Sequence, residues 1–229
     1  MGDISVSGAT DTRMVLHGGP LSPFVRKVGI CIIEKGLEGQ VRRNRAPTAM
    51  AKANLELLRH NPLGKIPTLV TADGVALFDS DVICEYLDAT FPPCWLWPAA
   101  GGDHWSALRW NALGTGALDA LVLWRFERNR PPPQQMAEVL RAYETKMQAV
   151  LELIEQEIPA LAANPFGIGH IPIGCLFGYL DFRFPDLDWR GAHPRSAAWF
   201  RDFMQRPSFL RTLPYEGACP VGDHLWPAV

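Results

Sequence analysis

The sequence predicts an α/β domain followed by an all-α domain: βαβαββα, then a helical bundle. Three observations predict it. Short apolar runs alternate with amphipathic stretches over residues 14–91, as strands alternating with helices do. Proline and glycine then crowd the stretch from Phe91-Pro92-Pro93 to Gly101-Gly102, which reads as a linker. Beyond it the apolar spacing is helical almost to the end. The expected plan is a tail over 1–13, an α/β domain over 14–91 and a linker over 92–102. A helical domain over 103–213 and an irregular tail over 214–229 complete it.

The elements follow in order. Met14-Val15-Leu16-His17 is a short strand ended by Gly18-Gly19-Pro20. Ser22-Pro23 then opens a helix, an N-cap serine followed by proline at the first helical position. Val25, Val28 and Ile32 form a buried stripe, and Gly36 ends the helix. Gln40 to Arg45 is a second strand crowded by arginines, and Ala49 to Leu58 a modest helix. Pro67 opens the apolar run Thr68-Leu69-Val70, since a proline belongs at a strand's first position. Asp73-Gly74 turns that run into Val75 to Phe78, a short-hairpin signal. Asp79 and Ser80 are both good N-caps for a helix with Val82, Ile83, Tyr86 and Leu87 on one face. A strand-helix-strand start followed by a hairpin implies a mixed four-stranded sheet.

In the second half, Asp103 is expected to cap a helix with Trp110, Leu113, Ala117, Leu121 and Trp124 on one face. Pro131-Pro132-Pro133 breaks it. A second long helix places Met136, Leu140, Tyr143, Met147, Val150, Ile154 and Ile158 on a bundle seam. Gly174 to Phe184 and Ser196 to Gln205 give two more helices.

Composition excludes several classes. A length of 229 residues with 48% hydrophobic and 20% charged is that of a globular protein with ample core. A net charge of -2 supplies no basic surface for nucleic acid. Five scattered cysteines without a C-x-x-C pair indicate reduced thiols and a cytoplasmic location. The six histidines include no pair at i, i+4, so no metal site is expected. No apolar run reaches the ~18 residues of a membrane span. The first 13 residues lack the apolar region of a signal peptide.

Two features point to chemistry. A cis Ile66-Pro67 bond would turn the chain and leave Ile66 to pair its backbone with an extended peptide. The helix starting at Asp79-Ser80 favours a carboxylate at its free amides. Together they describe a short-peptide site, with the backbone at Ile66, a carboxylate at Ser80 and an amine at Asp79. Ser22 lies where a parallel sheet presents its strand ends to ligands, and its hydroxyl suits an anion above the helix start. No G-x-S-x-G elbow surrounds it, so a serine hydrolase is not indicated. Gly167-Ile168-Gly169 has no third glycine and follows no strand, which rejects a dinucleotide fingerprint. Trp105, Arg109, Trp110 and Trp124 are candidates to line an apolar acceptor pocket; a plain bundle core explains them equally well.

With these pieces in place, the sequence resembles the cytosolic glutathione S-transferases over residues 14 to 213. The resemblance rests on Ser22-Pro23-Phe24-Val25-Arg26-Lys27-Val28, Asn61-Pro62-Leu63-Gly64-Lys65-Ile66-Pro67-Thr68-Leu69, and Phe78-Asp79-Ser80 with Ile83 and Tyr86-Leu87. The pattern is similar to that of a bacterial serine-type member. It implies a thioredoxin-like N-terminal domain, a helical C-terminal domain and a homodimer. It also implies glutathione as co-substrate and a small electrophile as its partner, with no metal. Ser22 would stand near the sulfur, Ile66 with cis-Pro67 would pair the cysteinyl backbone, and Asp79 and Ser80 would hold the γ-glutamyl end. Phe24 and Lys65 complete the implied glutathione-binding set. Glutathione-dependent isomerases and peroxidases, and non-catalytic members, share the same site.

The sequence departs from the family twice. His17 ends the first strand where tyrosine is common. The family's Ser/Thr-x-x-Asp capping box is replaced by Gly167-x-x-His170. With Pro172 following, that helix is expected to start near Ile171-Pro172, leaving Gly167 to His170 as loop, with His170 a poor substitute for the acid.

Overall fold

The computed structural model describes residues 12–99 and 101–216. The expected tails lie outside the described residues except at their inner ends. The sheet is mixed, in the order β2-β1-β3-β4. Strand β1 (Met14–Gly18) lies between β2 (Val41–Arg45), which it pairs in parallel, and β3 (Thr68–Val70), which runs antiparallel. Leu16, fully buried, faces Arg43 on one side and Leu69 on the other. Strand β4 (Ala76–Leu77) closes the hairpin on β3. β2 forms despite its arginines because it is an edge strand, where charge is tolerated. Its Val41 alone is fully buried against the core.

Helix α1 (Pro23–Glu34) makes the crossover from β1 to β2, capped by Ser22 and ended at Gly36, whose φ is 65°. It is buried nearly all round, more than the single stripe of the sequence pattern indicates, because α3 (Ser80–Thr90) and the helical domain cover both of its sides. Helix α2 is shorter than expected, Leu55–Leu58 instead of 49–58. Asn54 sets its start by accepting from the Glu56 and Leu57 amides, each at 3.1 Å.

The helical half comprises α4 (Gly102–Arg128), α5 (Ala137–Ala163), α6 (His170–Arg183), α7 (Trp189–Ala192), α8 (Pro194–Phe203) and α9 (Pro207–Leu210). Asp103 lies in the first turn of α4, and Gly101 takes the cap position assigned to it. Helix α6 is buried from His170 to Leu180 and packs on α4 and α1. Where α4 and α6 cross, a Cβ on Gly114 would stand 2.8 Å from the backbone carbon of Pro172, so this closeness needs glycine. Among the described residues, no helix is long and apolar enough to cross a membrane.

The start of α6 meets one expectation to within a residue and corrects another. The helix begins at His170, one residue ahead of Ile171-Pro172, with Gly167 to Gly169 outside it. Pro172 falls within its first turn, where amides have no intrahelical acceptor, so its missing N–H costs nothing there. His170 is also a working substitute for the acid. Its Nδ1 accepts the Gly167 amide at 3.3 Å while Nε2 meets the Leu161 carbonyl at 2.9 Å. Burial is the main cause that lowers the His170 pKa, and the neutral ring makes both bonds. Gly167 is excluded from carrying a capping hydroxyl by geometry: its Cβ would stand 2.7 Å from the Leu96 carbonyl oxygen.

The linker is fastened by Asp88, which is 3% exposed. Its carboxylate accepts from the amides of Trp95, Leu96 and Trp97 and from Lys35 Nζ at 2.8 Å. Burial pushes this carboxyl up, and the Lys35 ammonium with the three amides brings it below its usual range.

Candidate active site

Three segments converge at the carboxyl end of β1. The first is the turn from β1 into α1. Gly18 lets this turn close, since a Cβ there would stand 2.7 Å from Val25 Cγ1. The Ser22 amide donates to the Gly19 carbonyl at 3.2 Å, and Ser22 Oγ accepts from the Val25 amide at 3.3 Å. Capping uses an oxygen lone pair, which leaves the hydroxyl proton to donate outward. Phe24 is half-buried beside it.

The second segment enters β3. The Ile66-Pro67 bond is cis, and the ladder to β1 begins at Thr68, directly after it. Asn61, fully buried, shapes this loop: its Nδ2 donates to the Lys65 carbonyl and to Thr68 Oγ1, each at 3.0 Å. Thr68 Oγ1 adds a second bond to Lys65 O at 2.9 Å. The Ile66 side chain lies 3.6 Å from where a Gly19 Cβ would stand, so the first two segments touch.

The third segment is the start of α3. Asp79 is the N-cap, accepting from the Asp81 amide at 2.8 Å; Ser80 is the first helical residue. The Ser80 side chain is buried and donates to Asp79 Oδ1 at 3.3 Å. The remaining free amides of a helix start are of the kind that favours an anion.

A buried network that sequence reasoning missed joins these helices. The side chain of Lys27, fully buried, pairs its ammonium with Asp81 and bonds Thr115 Oγ1 at 3.0 Å. Asn111 Nδ2 donates to the same Asp81 carboxylate at 2.9 Å. Beside Arg26 in the sequence, Lys27 carries no local signal of burial.

Asn111, Thr115 and Asp119 occupy one stripe of α4 at steps of four, and that stripe faces α1 and α3. Partial desolvation raises the Asp119 pKa; Lys65 opposes it, and Asp79 and Asp81 reinforce it. Trp105, Arg109 and Trp110 point elsewhere. Trp110 Nε1 and Arg109 Nη2 both donate to Glu157 of α5, at 2.7 and 2.6 Å, and Trp105 is 73% exposed. The structure therefore separates these three from Ser22, Ile66 and Asp79. Trp124 is core, 5.0 Å from Phe184 between ring centroids. His17 is buried under the sheet, where Asn44 Nδ2 meets its Nδ1 at 3.1 Å and the His60 ring lies 4.7 Å away. Burial, then the His60 neighbour, lowers its pKa. Among the described residues, no group of three or more histidine, cysteine or acidic side chains is placed to hold a metal.

A family model for the glutathione S-transferase N-terminal domain matches residues 21–90, the span that holds Ser22, Ile66 and Asp79. The uncharacterized GST-like protein YibF of Escherichia coli (strain K12) is 32% identical over 203 residues, covering 88% of this chain and 98% of that protein. The chain belongs to the glutathione S-transferase family. Among solved structures, a glutathione transferase family member from Pseudomonas fluorescens Pf-5 with bound glutathione is 39% identical, with a TM-score of 0.85. The match covers 88% of this chain and 99% of that one. A family member from the same organism with bound S-(propanoic acid)-glutathione is 38% identical, with a TM-score of 0.81 and coverage of 88% and 100%. The fold described above is accordingly that of a glutathione S-transferase: a thioredoxin-like half carrying the mixed sheet, and a helical half.

Proposed function

We propose that this protein is a serine-type glutathione S-transferase that holds glutathione in the cleft between β1, β3 and α3 and activates its thiol at Ser22. The observation that carries the reading is the Ser22 hydroxyl. It caps α1 as an acceptor and keeps its proton for a sulfur above the helix start. A free thiol titrates near ~8.5, and lowering that by about two units requires ~2.7 kcal/mol of preferential thiolate stabilisation. A hydrogen bond to a charged group supplies ~1.5–3 kcal/mol and the α1 terminus ~0.3–1 kcal/mol. Ser22 and its helix therefore suffice.

Glutathione would lie extended, with its cysteinyl backbone paired at Ile66 beside cis-Pro67. Its γ-glutamyl carboxylate would meet the Ser80 turn and its ammonium Asp79, with Lys65 and Phe24 flanking. The thiolate attacks a small electrophile. From Asn111 to Asp119 the cleft stripe of α4 climbs toward the ligand end, so Val122 and Phe126, continuing it, form the acceptor wall. Relatives that hold glutathione and a small S-substituted glutathione support this reading.

We also read the protein as a cytoplasmic homodimer. Cys31, Cys84, Cys94 and Cys175 are free thiols, in keeping with a reducing compartment. Met50, Leu55, Leu63 and Trp105 leave large apolar side chains at the surface. Light scattering that returns 25.4 kDa at micromolar concentration would contradict the dimer.

Retention on immobilised glutathione, followed by turnover with a panel of electrophiles, tests the activity. Retention with conjugation supports it, and failure to bind glutathione overturns it. Binding without turnover of aryl halides, epoxides, hydroperoxides or disulfides would assign the chain to the non-catalytic members.

A further inference from the structure

The acceptor end of the cleft carries a cluster of cationic groups that the glutathione site does not use. Its place follows from how three helices run. Helices α4 and α6 run side by side in the same direction, Gly114 meeting Pro172 near one end and Trp124 meeting Phe184 near the other. Helix α1 runs against α6. Cys175 lies in the field of Arg26, Lys27 and Cys84, whereas Gly178, a turn further along α6, meets the Arg26 guanidinium. Ser22 lies four residues before Arg26, which raises it about 6 Å, to the level of residues 182 and 183 on α6.

At that level stand Arg125 of α4 and Tyr179 and Arg183 of α6. Burial raises the Tyr179 pKa, and the positive fields of Arg125 and Arg183 act on the same phenol to oppose it. Arg183 spans the ring of Phe182, its guanidinium carbon 4.0 Å from the centroid. Nη1 of Arg183 reaches Glu216, an exposed carboxylate, at 3.2 Å. The Nε of Arg183 is buried and has no acceptor among the described residues. Arg109 and Arg128 of α4 each pair with a carboxylate, Glu157 and Asp186. Among the described residues Arg125 does not. Arg125 is therefore left without a carboxylate among the described residues, and Arg183, whose one carboxylate partner Glu216 is exposed, keeps a buried N–H without an acceptor. A planar carboxylate is the group a guanidinium fork matches best.

We infer that the preferred acceptors of this protein are electrophiles bearing a carboxylate, which Arg125 and Arg183 hold beside the Tyr179 hydroxyl. The inference rests on the thiolate at Ser22. An α-halo acid is the simplest member of the class. The sulfur of the bound thiolate attacks the α-carbon, the C–S bond forms as the carbon–halogen bond breaks, and halide leaves with the bonding pair. The arginines touch only the carboxylate, so their contribution is to orient the acceptor and to select it.

Calorimetry with two glutathione conjugates of equal size, S-(1-carboxyethyl)glutathione and its amide S-(1-carbamoylethyl)glutathione, tests the assignment without relying on turnover. The wild-type protein is expected to favour the carboxylate about tenfold or more. Arg125→Gln and Arg183→Gln are each expected to cut that preference several-fold. The ratio is read within one variant, so a loss common to both conjugates cancels. Equal affinities in the wild type, or a preference unchanged in both variants, would overturn the carboxylate subsite while leaving the glutathione site standing. Binding of neither conjugate would overturn the glutathione reading and this inference together. A variant that does not fold is replaced by Arg125→Lys, which keeps the charge but loses the fork and is expected to retain part of the preference. α-Chloropropanoate against α-chloropropanamide as acceptors gives the matching kinetic comparison.

Discussion

The Lys27 ammonium and the Asp81 carboxylate form an ion pair that ties the second turn of α1 to the first turn of α3. The Lys27 side chain is fully buried and that of Asp81 is 40% exposed. The two helix starts that flank the cleft are therefore held by a charge behind them. Removing one partner of a fully buried pair costs ~3–5 kcal/mol, and an exposed pair is worth ~0–1 kcal/mol. With one partner half in water, Lys27→Met is expected to lower stability by ~1–3 kcal/mol in urea denaturation and to weaken glutathione binding. Wild-type stability and affinity in this variant would show that the pair does not set the site.

The His170 ring predicts how α6 responds to substitution and to pH. Gly167→Ser restores the usual capping residue by sequence but drives a Cβ toward Leu96 O, so the melting temperature is expected to fall. The His170 pKa lies below its ordinary 6.5 in the folded protein, first through burial. A depressed pKa means that the unfolded chain binds the proton more readily. This contribution to stability is complete above pH 6.5 and is lost as the pH falls from there toward the folded value. His17, also lowered, adds to the same trend. A His170→Gln variant is expected to flatten the loss, and an identical pH profile would refute the assignment.

Glu155 of α5 seats the start of α8. Its carboxylate accepts from the amides of Arg195 and Ser196 at 3.0 and 2.8 Å, and from Ser196 Oγ at 2.6 Å. Burial pushes this carboxyl up, but the Ser196 hydroxyl and the two amides overcome it and hold the pKa at about 2. The depressed value stabilises the fold above pH 4.5 and is lost as the pH falls toward about 2. Glu155→Gln is expected to cost on the order of 3 kcal/mol at neutral pH and to shift acid unfolding. An unchanged acid transition would contradict this.

The parts of the site that were legible in the sequence are those set by local chemistry. Ser22-Pro23 marks a capped helix start, Asp73-Gly74 a hairpin and Pro67 a strand entry, because each acts within a few residues of itself. What the sequence did not disclose depends on how distant elements pack. A lysine beside Arg26 reads as surface until α3 and α4 close over Lys27. Tryptophans at 105 and 110 suggest an aromatic pocket until α5 offers Glu157 to Trp110 and Arg109. Gly167 reads as a lost cap until the linker carbonyl of Leu96 takes the space. The shorter α2 reflects Asn54, whose capping competes with a longer helix.

The measurement that tests the central claim most directly is the ultraviolet titration of the thiolate of bound glutathione, in the wild type and in Ser22→Ala. A lost hydrogen bond to a charged sulfur corresponds to a rise of about one to two units in the thiol pKa. The expected result is a rise of that size in Ser22→Ala, with turnover at neutral pH falling alongside it and glutathione affinity changing little. A bound thiol that titrates at the same pH with and without the Ser22 hydroxyl would contradict the account.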